Sequence, residues 1–441
     1  MSRSHRWRLG VGALVGVLAA LAATVLWLNL RGEEPLLPDV PAKATADQIA
    51  KGAYLARAGN CAACHTDRGG VPYAGGRAIE TPFGNVYAGN LTPDMETGLG
   101  AWSQAEFWRA LHHGRSRDGR LLTPAFPYAN FTLVTRADAD NLRAYLRSLA
   151  PVQQAQTKAT LRWPFNTQAA LAVWRALYFR AGSLPPDADR STGTGTGNAI
   201  AKNAEWQRGA YLVNGLGHCN TCHAPRNWAG ASGALDEAGG GTLPLQGWIA
   251  PSLAHADEAG VLGQPIDEVV RLLKTGVSDH HAVMGPMSDV VAGSTQHLLP
   301  ADLRAMVVYL ATLAPPTAAD QSRPPTGAQA TSAPSTPRLL RGQQLYADHC
   351  TTCHGAQGQG APGIYPALAT SRTVALANPR NLVQAITHGG FPPATAGNPQ
   401  PYGMPAFDLP HADVAALATW LRASWGLRAA PVSDLDVLLT R

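Results

Sequence analysis

Cys61-Ala-Ala-Cys64-His65, Cys219-Asn-Thr-Cys222-His223 and Cys350-Thr-Thr-Cys353-His354 repeat one pattern, C-x-x-C-H, and use all six cysteines of the 441-residue chain. The pattern is the attachment signature of c-type haem. Two thiols one helical turn apart can each add to a vinyl group of the same porphyrin. The next residue then sets an imidazole beneath the iron. That imidazole gives Nε2 to the metal, while Nδ1–H normally donates to a carbonyl, which fixes the tautomer. Other chemistries fit less well. A zinc site needs four ligands, and each motif offers two Cys and one His. A redox dithiol does not need the trailing His, and a disulfide framework would not space every cysteine alike. The expectation is three covalently bound haem c groups, with His65, His223 and His354 as iron ligands.

The opposite face of each iron needs its own account, because a methionine thioether there suits electron transfer while an open face permits ligand binding. Met404 lies 15 residues after Gly389, and Met287 lies 11 after Gly276. Both are expected in Pro/Gly-bearing loops, as sixth ligands of the third and second haems. Met284 competes with Met287, which is preferred for its Gly-Pro lead-in, and Met306 fits a helix core. The first repeat departs from this, since Phe126 stands 12 residues after Gly114 and cannot ligate iron. Met95, His112, His113 or no protein group remain open for that position.

The elements that must carry these residues repeat as well. An amphipathic helix opens each unit at Gly52-Ala-Tyr54-Leu55, Gly209-Ala-Tyr211-Leu212 and Gly342-Gln-Gln-Leu345-Tyr346. A second helix runs from Gln104 to His113, from Ile266 to Thr275 and from Arg380 to His388, each followed by a Gly that is expected to end it in the left-handed conformation. Ser103 and Glu106 form a capping-box signature. A third helix begins at Ala137-Asp138, Ala301-Asp302 and Ala412-Asp413, with Asp favoured in the first turn. Eight residues after each Ala stands Tyr145, Tyr309 or Trp420, expected to bury against the opening helix. One further stretch, Trp163 to Gly182, has Phe165, Leu171, Trp174, Leu177, Tyr178 and Phe179 at helical spacing. It has no counterpart in the other repeats and is expected to pack between the first and second, or to dock a partner subunit or the membrane.

Arg3, Arg6 and Arg8 precede an uncharged apolar run from Leu9 to Leu30, long enough to span a bilayer. With the arginines leading, the body is exported. An uncleaved anchor outside the fold is favoured over a signal peptide cut near Ala20-Leu21-Ala22. The formal charge is +5, from 35 basic and 30 acidic residues without a basic run, so nucleic acid is not a partner. Residues 183–204 and 315–337 are rich in Pro, Ser, Thr and Gly and read as linkers.

The chain resembles the tri-haem cytochrome c subunits of membrane-bound bacterial dehydrogenases. The best-known relatives serve quinoprotein alcohol dehydrogenase, and similar subunits serve gluconate dehydrogenases and molybdenum hydroxylases of aldehydes or N-heterocycles. The motifs that carry the likeness include Asn90-Leu-Thr-Pro-Asp94, Thr97-Gly-Leu-Gly, Pro124-Ala-Phe-Pro-Tyr, Arg208-Gly-Ala-Tyr-Leu, Gly285-Pro-Met, Ser294-Thr-Gln-His and the long stretch from His388 to Pro405. Many relatives have Met where this chain has Phe126. The resemblance implies an all-α chain of three tandem class I cytochrome c-like domains behind an N-terminal transmembrane helix. Its divisions are an anchor or signal at 1–34, a first domain at 45–150, an extra helix and linker at 151–204, a second domain at 205–314, a linker at 315–337, a third domain at 338–426 and a tail at 427–441. It implies a periplasmic, membrane-attached electron carrier. The donor would be a quinoprotein, flavoprotein or molybdopterin catalytic subunit, and the acceptor ubiquinone or a terminal oxidase. No dinucleotide fingerprint or independent catalytic constellation is visible. The competing expectation is a multihaem enzyme, peroxidase-like or thiosulfate-oxidising, that uses an open first haem.

Overall fold

The computed structural model describes residues 3–36, 43–182, 203–237, 239–243, 246–313 and 336–440. The expected linkers fall almost wholly outside the described residues. The chain divides into two compact units, Met1–Ala53 with Cys64–Ala188, and Tyr54–Ala63 with Asp189–Arg441.

The first unit holds α1 (Arg3–Leu30), residues 46–53 of α2 (Ala46–Ala58), residues 64–65 of α3 (Cys61–His65), α4 (Gln104–His113), α5 (Tyr128–Phe131), α6 (Arg136–Ser148) and α7 (Gln168–Tyr178). The start of α2 crosses α6 at Gly52, where a Cβ would lie 1.9 Å from the Asn141 carbonyl oxygen and 2.7 Å from Tyr145 Cβ. Only a missing side chain lets the two backbones meet this closely. The capping box on α4 forms as its sequence suggests, with Ser103 Oγ accepting from Glu106 N and Glu106 accepting from Ser103 N. Gly114 ends the helix in the left-handed region at φ 58° and ψ 39°. The chain is not purely helical, since β1 (Ala78–Thr81) and β2 (Gly84–Tyr87) form an antiparallel hairpin, Ala78 opposite Tyr87. Thr81 Oγ1 closes its turn by donating to the Gly84 carbonyl.

Two expectations about this unit are corrected. The stretch Trp7–Leu30 is long and apolar enough to cross a membrane, with a mean hydropathy of 2.4. The end of α1 is nevertheless built into the unit, not detached from it. Asn29 donates to Ala172 O (2.9 Å) on α7 and accepts from Arg175 Nε (2.9 Å), and its own carbonyl takes Arg115 Nη2 (3.2 Å). Just beyond, Glu33 pairs with Arg115 at 3.0 Å and with Arg109 at 3.6 Å. The extra segment does not simply bury an apolar face. Instead α7 buries Arg175, only 3% exposed, and leaves Leu177 exposed, as is Trp163 ahead of the helix. Arg175 donates to His113 O and lies 5.2 Å from the Tyr128 ring centroid and 4.6 Å from that of Phe179. A guanidinium can be buried without a carboxylate when carbonyls and aromatic faces take its donors and charge.

The second unit contains α8 (Ala204–Tyr211), α9 (Asn220–His223), α10 (Ile266–Thr275), α11 (Pro286–Gly293) and α12 (Pro300–Leu310). After these come α13 (Pro337–His349), α14 (Thr351–His354), α15 (Arg372–Ala375), α16 (Arg380–His388), α17 (His411–Ala423) and α18 (Asp434–Leu438). A second hairpin joins β3 (Gly241–Leu243) to β4 (Trp248–Ala250). The glycine crossing recurs twice. A Cβ on Gly209 would lie 1.9 Å from Ala305 O, and one on Gly342 would lie 2.3 Å from Ala416 O, with Tyr309 Cβ and Trp420 Cβ beside them. Gly276 ends α10 in the left-handed region. Gly389 does not end α16 that way, because its ψ is −150°. Residues 427–440, part of the expected tail, complete the third hydrophobic core, where Val432 and Val437 are fully buried. Arg422 ties that segment down through Ala430 O (2.7 Å), Val374 O (2.8 Å) and Leu376 O (2.7 Å). Burial lowers the pKa of this guanidinium to about 10.

The aspartates in the first turn of the closing helices do more than complement a dipole. Asp413 is held by Arg341 through two hydrogen bonds of 2.9 and 2.6 Å. Asp302 takes Arg208 Nε (2.9 Å), Arg208 Nη2 (2.7 Å) and the Tyr54 hydroxyl (2.5 Å). Burial alone would raise the Asp302 pKa, but its bonds from Arg208 and Tyr54 lower it overall. A carboxylate depressed in the folded state contributes stability above its unfolded pKa of about 3.9, and loses it as pH falls through the folded value. Asp302→Asn should therefore cost about 2 kcal/mol at pH 7, and the gap from the parent should close below about pH 4. Urea titrations at the two pH values measure this, and a gap that persists in acid would refute the charge-based account.

Candidate haem sites

The three C-x-x-C-H motifs occupy one short helical turn each, α3, α9 and α14, with the His as last residue. In the first two, the opening helix is broken just before the cysteines by a residue with positive φ, Asn60 at 47° and His218 at 37°. Asn tolerates this region well, whereas His218 costs about 1–2 kcal/mol there. The third motif follows α13 directly, through Cys350 in the right-handed helical region. Burial, with Cys222 adding to it, pushes the Cys219 thiol up to about 12, and burial with Cys353 pushes Cys350 up to about 11.

The three histidines share one environment. His65 Nδ1 is 2.7 Å from Gly89 O, His223 Nδ1 is 2.7 Å from Pro251 O, and His354 Nδ1 is 3.0 Å from Pro366 O. Burial lowers the pKa of all three, against a smaller upward pull from the carbonyl. Each ring is thus neutral at pH 7, with its proton held on Nδ1 and its lone pair on Nε2. That is the state in which an imidazole binds iron, so the residues present fit a c-type haem.

The carbonyl partners Gly89, Pro251 and Pro366 escape a linear reading, yet a signal for them exists. Each is two residues before a leucine, in Gly89-Asn-Leu91, Pro251-Ser-Leu253 and Pro366-Ala-Leu368. The unexpected hairpins help to place the first two. β2 ends two residues before Gly89, and β4 ends immediately before Pro251. Gly75 N also donates to His65 O (2.8 Å) and Gly76 N to Ala88 O (2.9 Å), which tie the first motif to its hairpin.

The candidate sixth ligands fall into different settings. Met404 is partly buried against the third core, on an extended segment that exchanges two backbone hydrogen bonds with Gly390. Met287 is not in a loop as expected; it sits in the first turn of α11, where Pro286 starts the helix and Gly285 (φ 58°) lies against the Trp248 ring. Met284 directs its methyl toward Gly390, and Met306 is buried in α12. Phe126 packs on Phe131 with ring centroids 5.2 Å apart. Met95 is 66% exposed, in a turn where Asp94 Oδ1 accepts from Thr97 N and Thr97 Oγ1, both at 2.7 Å. His112 stacks on Trp108 at 4.4 Å. His113 is buried, and burial together with His112, Arg175, Arg115 and Arg109 lowers its pKa to about 4.

A cytochrome c family model matches residues 49–150 and 339–425. The cytochrome c subunit of the quinone-linked alcohol dehydrogenase of Gluconacetobacter polyoxogenes is 38% identical over 410 residues, covering 89% of this chain and 84% of that one. The gluconate 2-dehydrogenase cytochrome c subunit of Pantoea cypripedii is 34% identical, covering 89% of each chain. The fructose dehydrogenase cytochrome subunit of Gluconobacter japonicus is 34% identical over 392 residues, covering 84% of this chain and 78% of that one. The chain belongs to the family of dehydrogenase cytochrome c subunits, which carry covalently bound haem c and transfer electrons instead of catalysing substrate oxidation.

Proposed function

We propose that the protein is a membrane-anchored tri-haem cytochrome on the periplasmic side of the cell membrane. It takes electrons from the catalytic subunit of a partner dehydrogenase and passes them to membrane quinone or a terminal oxidase. The observation that carries this reading is the threefold recurrence of a C-x-x-C-H turn whose histidine has its Nδ1 bound to a backbone carbonyl. Cys61 and Cys64, Cys219 and Cys222, and Cys350 and Cys353 would hold the three porphyrins, with His65, His223 and His354 on the irons. A bound haem c would supply a one-electron Fe(III)/Fe(II) couple at each site.

The chain's own part is positional and electrostatic. The carbonyls of Gly89, Pro251 and Pro366 fix the tautomer and raise the donor strength of Nε2. The glycine crossings hold each opening helix, and so each motif, against its closing helix. Met404 and Met287 would hold the irons of the third and second haems from the side opposite the histidine, and a thioether ligand would raise their potential. Support for anchoring comes from the apolar α1, whose last turn is tied to α7 and α4 by Asn29 and Arg175. A lipid bilayer would surround the rest of that helix, where Leu14, Val15, Leu18 and Leu21 are exposed.

Phe126 favours a second reading of the first site alone. With Phe126 packed on Phe131 and Met95 exposed, we read the first haem as lacking a methionine ligand. An open iron there is the feature that a peroxidase-like or thiosulfate-oxidising enzyme would need.

The full-length protein, denatured in alkaline pyridine, should give three haems c per chain, and one or two would contradict the reading. Alone it should not turn over alcohols, aldehydes or sugars, yet its haems should be reduced when the partner and substrate are added; turnover without the partner would favour the enzyme reading. Met404→His should lower one haem potential while leaving the haem count at three, and an unmoved potential would remove Met404 from the ligand set. Carbon monoxide should bind one haem in three in the native reduced protein; no binding would place His112 or another protein group on that iron.

A further inference from the structure

The longest motif in the chain, His388 to Pro405, exceeds what is needed to present one methionine, and its packing points to a second task. The segment leaves α16 through Gly389 and returns at Met404. Gly390 N donates to Met404 O (2.9 Å) and Met404 N to Gly390 O (2.8 Å), so its two arms are zipped at the neck. A Cβ on Gly389 would lie 2.3 Å from Met404 O, which makes glycine obligatory there. At the tip, Thr395 N donates to Asn398 O (3.0 Å) and Asn398 N to Thr395 O (3.1 Å), closing a tight turn.

Both tip and neck rest on the repeat that carries Met287. Thr395 Oγ1 donates to Thr275 O (3.2 Å) at the end of α10, and Ala396 N to Gln296 Oε1 (3.4 Å). Pro393 fills the space that a Cβ on Gly276 would occupy, at 2.4 Å. At the neck, Ser288 Oγ donates to Phe391 O (3.3 Å), and Met284 Cε comes within 3.2 Å of where a Cβ on Gly390 would sit. Ser288 follows Met287 directly, and Met284 precedes it by three residues. The neck of one methionine-bearing segment is therefore in contact with both flanks of the other.

We propose that residues 389–405 form a strap that fixes the Met404-bearing and Met287-bearing segments in one frame, with Met284 serving as a strap contact and not as an iron ligand. The inference rests on the haem reading above. Its consequence is that the two segments loosen together. Thr395 and Met284 are then positioning residues, since neither is asked to touch a haem.

The test uses the full-length holoprotein with Thr395→Val and Met284→Ala. Hydrogen exchange is followed at 284–288 and 390–404, alongside the methionine-to-iron charge-transfer band and the separate haem potentials. In Thr395→Val, exchange should quicken at least about threefold in both segments, with two of the three haem potentials shifted and the third unchanged. Faster exchange in 390–404 alone, or a shift confined to one haem, would overturn the strap. Met284→Ala should keep every methionine band, and Met284→Leu should restore parental exchange. Loss of a band in Met284→Ala would show that Met284 is a ligand. Thr395→Val keeps the proposal testable even where Met284→Ala does not fold. A haem count below three in the parent protein would instead defeat the underlying haem reading, while the exchange result at the strap would stand apart from it.

Discussion

A neutral imidazole held by its Nδ1 proton is the constraint on which the rest of this molecule depends. A histidine at the end of a single helical turn has no intrinsic orientation, and a free ring would exchange tautomers and bind protons near neutral pH. Here burial lowers the proton affinity of each ring, and a backbone carbonyl holds Nδ1 as the donor, three times over. The carbonyl has to arrive from elsewhere in the chain. It comes from 24 residues downstream at Gly89, 28 at Pro251 and 12 at Pro366. Hairpins, turns and helix crossings can be understood as the means of holding that distant oxygen against the ring.

The crossings supply the rigidity. At Gly52, Gly209 and Gly342 the opening helix meets the carbonyl at the fourth residue before the closing aromatic, a contact that any side chain would prevent. In two of the three crossings the arginine just before the glycine binds the acid that begins the closing helix, Arg208 to Asp302 and Arg341 to Asp413, whereas Lys51 pairs with Asp47 on its own helix (2.8 Å). These pairs differ in weight. Asp302 is largely buried and also holds Tyr54, so its loss leaves polar groups unmet, whereas exposed pairs contribute little. The crossing is set by sterics and its register is reinforced by charge.

The repeat is not copied evenly. Phe126, packed on Phe131, stands 12 residues after Gly114 where the other two repeats carry Met287 and Met404 at comparable distances from their glycines. Gly389 abandons the helix-stop geometry of Gly114 and Gly276 in order to lie against Met404 O. Residues 163–182 add a helix that buries an arginine beside the end of α1. The arginine could not have been assigned from spacing, because amphipathic patterning counts apolar residues and has no term for a guanidinium satisfied by carbonyls and ring faces.

Much of the local order was legible in the residues themselves. The motif spacing named the chemistry, and the second helix of each repeat ran from Gln104 to His113, Ile266 to Thr275 and Arg380 to His388 as its periodicity and glycine required. Those features depend on contacts within a few residues, so a linear reading reaches them. The carbonyl on each histidine, the folding of residues 427–440 into the third core, and the seating of the 389–405 segment depend on partners that lie from 12 to 120 residues away. The sequence by itself determined which side chains could bind porphyrin and where helices start and stop. Only the tertiary structure decided which oxygen faces each imidazole and which segments share a frame, because long-range hydrogen bonds and close backbone contacts leave no periodic trace in the chain that forms them.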